Sequence, residues 1–176
     1  MPYKHIRAAI AVLAVAIAGL AFVSATSAAG KQSSEPLVVR GDATVVEGGC
    51  DASGCTLQFA DGSFRGTPVG TGAYEGTVKL ALAEGFENGE GGVCAPIRGE
   101  IVLGAGSPDR LVLAVSGDSC QDGAGDPTTA SFTGLARFHV KQGSGKYAGM
   151  SGSGIASFLE DAADHDRMTL IGRVAR

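Results

Sequence analysis

Beyond residue 36 the chain carries no helical periodicity. Apolar residues do not recur there at spacings of three and four. Short runs rich in Val, Leu, Ile, Phe and Thr instead alternate with glycine-bearing punctuation. Eight such runs stand at roughly 37–46, 55–60, 73–83, 93–103, 110–117, 129–141, 150–160 and 167–175. The stretches between them hold turn residues, as in "ADGS" (60–63), "GSPD" (106–109), "DGAGDP" (122–127) and "DAADHD" (161–166). Eight short strands joined by hairpins predict an all-β fold, a sandwich or an eight-stranded antiparallel up-and-down β-barrel. The barrel is favoured, because closure removes the edges that a flat sheet leaves exposed. Of the 28 glycines in the chain, all but Gly19 follow residue 29, so 27 fall in the last 147 residues. That is more than twice the usual share of about 7%. They sit between and inside the apolar runs, where glycine marks the bulges and close corners that a small barrel needs to curve.

The first residues have the three parts of a cleavable signal peptide. Lys4 and Arg7 make a basic start, Ala8 to Val23 an uncharged apolar run, and Ser24 to Ala29 a tail of small residues. The apolar run is shorter than the about 20 residues of a membrane-spanning helix. Cleavage after Ala29 leaves a short leader over 30–36, a single domain over 37–176 and a secreted product with no membrane segment. Without Lys4 and Arg7, the 14 basic residues fall to 12 against 18 acidic ones, a net charge of −6. Nucleic acid is excluded as a partner, since its phosphates need clustered Lys and Arg.

All four cysteines follow the leader. An even count in an oxidising compartment predicts two disulfides. The segment from Cys94 to Cys120 is close to a mirror image about Ser107. If Ile101–Leu103 pairs antiparallel with Leu111–Leu113, Cys94 falls opposite Cys120, within reach of a bridge. Cys50 and Cys55 then close the small loop "CDASGC". The spacing matches no common zinc pattern.

Two glycine motifs share one spacing. Gly70, Gly72 and Gly76 surround Tyr74, and Gly143, Gly145 and Gly149 surround Tyr147. A dinucleotide loop has one residue fewer between its second and third glycines and opens a helix, whereas strand signals flank both motifs here. The motifs are read as architectural, with each tyrosine packed on glycine-bared backbone. The stretch "FHVKQGSGKYAGMSGSGI" (138–155) resembles the Gly-Gly-Thr-Gly-x-Phe-x-x-Ala-x-Gly signature of the allene oxide cyclase and dirigent barrels, and is similar to a secreted bacterial branch of that superfamily. The close match covers about twenty residues, and the strand pattern extends it loosely over 37–175. The resemblance implies an eight-stranded calycin-like barrel with an interior pocket, trimeric in many plant relatives, in which an apolar cavity folds or orients a small organic substrate.

Chemistry-bearing residues are few. Downstream of the signal only His139 and His165 remain, and no Gly-x-Ser-x-Gly is present. The weak catalytic candidates are Glu75, Arg98, Glu100, Arg137 and His139. Arg98 shares a strand phase with Glu100, and Arg137 with His139; each pair faces either solvent or a polar pocket. Glu160, Asp161, Asp164, His165 and Asp166, like Asp118, Asp122 and Asp126, read as solvated turns, with a calcium site as the rival. The residues call for no metal and no cofactor. Three functions fit: an interior pocket for a small apolar molecule, an enzyme guiding cyclisation or coupling of an organic substrate, and a rigid extracellular module with a filled barrel. "RLVLAV" (110–115) is apolar on both phases, so the sequence also predicts an outer wall that self-associates, as in a trimer.

Overall fold

A computed structural model describes residues 33–89, 91–122 and 131–176. The predicted signal peptide and Asp126 lie outside them. Nine strands are described: β1 (Glu35–Asp51), β2 (Gly54–Thr67), β3 (Gly70–Leu80), β4 (Phe86–Glu87), β5 (Val93–Leu103), β6 (Leu111–Gln121), β7 (Phe132–Gly143), β8 (Ser151–Glu160) and β9 (His165–Ala175). All pairings are antiparallel, in the order β3-β2-β1-β9-β8-β7-β6-β5, and β3 pairs with β5 to close an eight-stranded barrel. The two-residue β4 attaches beside the start of β5. Among the described residues no helix is long and apolar enough to cross a membrane.

Alternation sorts each strand between core and outer wall. On β1, Leu37, Val39, Gly41, Ala43 and Val45 lie on the inward face, while the residues between them are exposed. Ile97, Ile101 and Leu103 of β5 meet Leu111, Leu113 and Val115 of β6 in the same core, joined by Ala136 and Phe138 of β7 and by Met168, Leu170 and Val174 of β9. Fully burying a side chain of this size contributes about 1.5–3 kcal/mol, so the strand phase is strongly specified.

Three expectations need correction. "ADGS" is no turn: it lies inside β2, as a bulge at which the register slips against both β1 and β3. Phe59 is inward before the bulge and Phe64 after it, so the extra residue reverses the strand's phase. The chain actually turns at Pro68 and Val69, after a cis Thr67–Pro68 bond. Second, two single turns of 3-10 helix occur, at Leu82–Glu84 and Gly145–Tyr147, so the third strand ends at Leu80 rather than at residue 83. Third, the two glycine motifs differ in structure. Tyr74 lies in β3, whereas Tyr147 lies in the 3-10 turn between β7 and β8. The outward residues of "RLVLAV", Val112 and Ala114, are half-buried. The more exposed apolar row is Val38, Ile171 and Ile155, which stand opposite one another across β1, β9 and β8.

Candidate functional site

The two ends of the barrel differ. At one end the chain seals itself. Tyr147 is buried, and its hydroxyl donates a 2.6 Å hydrogen bond to the Val69 carbonyl. The surrounding glycine loop is tied to the β5–β6 connection. Ser144 Oγ donates to the Pro108 carbonyl at 2.8 Å, and the Lys146 amide donates to Asp109 Oδ1 at 2.9 Å. Val69, Leu103, Leu111, Met150 and Val174 fill this end with apolar side chains.

The other end is open and carries both disulfides. Cys50 stands opposite Cys55 on the β1–β2 hairpin, and Cys94 opposite Cys120 on β5–β6, and both pairs are bonded. The mirror-image register read from the sequence is therefore correct. Bridges of this kind belong to an oxidising environment. Between them lies a cavity of about 500 Å³, within the range of small-molecule sites. Leu57, Leu80, Ala95 and Phe132 form its walls, and Leu82 and Val93, each about half exposed, form an apolar rim. Leu82 is held there by the 3-10 turn, and Val93 by its pairing with Glu87 of β4.

Below this mouth the barrel is filled by its own side chains. Phe59 stacks on Phe158, with ring centroids 5.7 Å apart, and the remaining void is only about 30 Å³. That void shares Leu57, Ser119 and Glu160 with the mouth and adds Asp166 to its lining. Open space thus lies at the mouth, narrowing to a small, mostly apolar void in which Ser119, Glu160 and Asp166 are the polar side chains.

The acids of this region are sorted by strand phase. Asp164 and His165 are exposed, and Asp161 is half-buried. Asp161 caps the β8–β9 turn, with its Oδ1 accepting from the amides of Ala163 at 2.9 Å and His165 at 3.2 Å, and these bonds hold its carboxyl below the ordinary value. Glu160 and Asp166, the pair directly opposite one another at the strand ends, turn inward. Asp166 is only 1% exposed, and its Oδ2 has no hydrogen-bond partner among the described residues. Burial, and then the charge of Glu160, push its carboxyl up to about 7. Burial also raises Glu160, helped by Asp164 and Asp161. Tyr74 faces the same region from β3 and is pushed far upward by burial and by the charges of Asp166 and Asp42. Its hydroxyl also makes no hydrogen bond of normal geometry. A desolvated acid beside a phenol in an apolar cavity can accept a cation or, when protonated, donate a proton.

The sequence candidates lie elsewhere. Glu75, Arg98, Arg137 and His139 are exposed on the outer wall. Glu100 also faces outward and pairs with Lys141 across β6. Glu75 and Glu100 border an open outer groove of about 740 Å³ beside the β2 bulge. Neither polar pair enters the barrel. Among the described residues no three Asp, Glu, His or Cys side chains converge as a metal site requires. The inward acids were hidden in a stretch read wholly as turn. Their signal was phase: Asp166 shares a strand face with Met168 and Leu170, and Glu160 with Phe158 and Ala156. Compared with known proteins, the chain matches no family model, and neither curated sequences nor solved structures show a significant match to it.

Proposed function

We propose that this is a secreted protein that binds a small apolar molecule in the mouth of its barrel. One observation carries this reading: a cavity of about 500 Å³ with apolar walls, floored by the stacked Phe59 and Phe158, at the open end of a barrel whose other end is sealed. Half-exposed Leu82 and Val93 at its rim are costly in water unless something covers them. The fold also agrees with what the allene oxide cyclase and dirigent resemblance implies.

The test is titration of the disulfide-intact protein with the neutral fluorophore N-phenyl-naphthylamine. The expected result is saturable binding at one site, weakened several-fold in Leu82→Ser and Val93→Ser, whose rim positions leave the core untouched. Absence of saturable binding, or binding indifferent to both changes, overturns the reading.

A second reading is favoured by Asp166 and Tyr74. An acid held protonated near neutrality and a phenol beside it can assist cyclisation or coupling of an organic substrate by hydrogen bonding to a developing negative charge. Turnover lost in Asp166→Asn, with probe binding retained, would distinguish this reading from simple carriage.

A further inference from the structure

We infer that the molecule held in the barrel mouth is an amphiphilic amine, with its apolar body against the cavity walls and its ammonium group in the void between Glu160 and Asp166. The inference rests on the mouth being a binding site and names the class of ligand.

Three observations carry it. The first is the unpartnered Oδ2 of Asp166, which is almost completely buried and lines the void. A buried carboxylate oxygen without a hydrogen bond of normal geometry is costly, and the nearest donors, the Tyr74 hydroxyl and the Leu159 amide, act on the carboxyl without satisfying Oδ2. The second is sign. Glu47 and Glu160 line the mouth, Glu160 and Asp166 line the void, and no Lys, Arg or His lines either one. An anionic head group is therefore repelled, and a neutral one leaves the acids uncompensated. The third is size. A void of about 30 Å³ suits a group with one heavy atom. An ammonium offers three donors, and Glu160, Asp166 and the Ser119 hydroxyl are the acceptors around it.

Recognition then depends on pH. The charged or titratable groups acting on Asp166 are Glu160 from β8, Tyr74 from β3 and Asp42 from β1, while Glu160 also faces Asp161 and Asp164 of the turn. Asp61, Asp161, His165 and Arg167 border Asp166 in an adjoining pocket away from the mouth. No base lines the mouth or the void, so raising the pH toward 8 only makes their surroundings more negative. A bound ammonium favours the ionised acids and releases protons as it enters.

The experiment is displacement of N-phenyl-naphthylamine from the intact protein by octylamine and by octanol, at pH 5 and pH 8. Octylamine stays protonated at both. It is expected to bind about tenfold or more tighter than octanol at pH 8, with the preference shrinking at pH 5. Asp166→Asn and the less buried Glu160→Gln should each reduce the preference without abolishing octanol binding. If the probe and octanol bind but octylamine shows no preference, or if its preference is unaffected by both substitutions and by pH, the amine inference is overturned while the apolar site stands. If neither the probe nor either alkyl compound binds, both fail.

Discussion

Tyr147 and Val69 are 78 residues apart in the chain and are joined by a 2.6 Å hydrogen bond from the buried phenol to the backbone carbonyl. This bond fastens the β7–β8 connection onto the β2–β3 turn and shuts one end of the barrel. Tyr147→Phe keeps the ring but leaves the Val69 carbonyl without that donor. It is expected to cost about 1–3 kcal/mol in urea unfolding, the range for an orphaned buried acceptor, and to leave mouth binding unchanged. A loss of probe binding without a loss of stability would place the site at the wrong end.

Tyr74 depends on what its neighbours lack. A Cβ on Gly62 would stand 2.7 Å from Tyr74 Cδ1, and one on Gly41 would stand 2.8 Å from Cε1. Gly62→Ala therefore has to displace a ring locked in the core, with backbone also in the way, since the same Cβ would lie 2.5 Å from the Tyr74 carbonyl oxygen. Overpacking of this kind costs about 1–3 kcal/mol. Thermal unfolding should show a lower midpoint, and an unchanged midpoint would mean that the bulge yields.

Asp166 is expected to make the protein less stable as the pH rises toward neutrality. Its folded value of about 7 lies above the ordinary 3.8, so between these values the folded state holds a proton that the unfolded state has released. Stability is then greatest below about pH 4, falls through the window from about 4 to about 7, and is level above it, so far as this group decides. The loss is at most about 4 kcal/mol for a shift of this size. The upward shift of Glu160 acts in the same direction. Asp166→Asn should flatten the slope in denaturant titrations across that window, and a variant with the wild-type slope would clear Asp166 of the effect.

The two disulfides should differ in weight. Their cysteines are 26 residues apart in Cys94–Cys120 and 5 apart in Cys50–Cys55. Loop-closure entropy assigns about 3.5 kcal/mol to the longer loop and about 2 to the shorter. Paired replacement by Ala, followed by denaturant unfolding, should reproduce that order.

Arg137→Ala and His139→Ala change side chains exposed on the outer wall. Each should shift stability by no more than about 0.5 kcal/mol and leave probe affinity as it is. A large effect on binding would return these residues to the list of functional candidates.

Much of the barrel is legible in the linear chain because strand period and hairpin register are local properties. Ile101 and Leu113 pair because the residues around Ser107 are palindromic, and the Cys94–Cys120 bridge follows from that register. Legibility failed where one pattern had two physical uses. "ADGS" has the composition of a turn, but at this position glycine serves a bulge, because the ring of Tyr74 has to pass over it. Gly143–Gly149 repeats the spacing of Gly70–Gly76, yet one set shapes a loop and the other a strand, since spacing does not encode what lies across the barrel.

What the sequence determined by itself is the all-β class, the antiparallel hairpins and the cysteine pairing, each set by contacts between neighbours in the chain, whereas the pairing of β1 with β9 joins residues as far apart as Glu35 and Val174. Only the tertiary structure decided which end closes and which acids turn inward. Those outcomes depend on residues far apart in the chain: Tyr147 reaching Val69, and Tyr74 of β3 facing Asp166 of β9. Burial alone makes one carboxyl of an acidic stretch different from its neighbours, and burial is a property of the closed barrel.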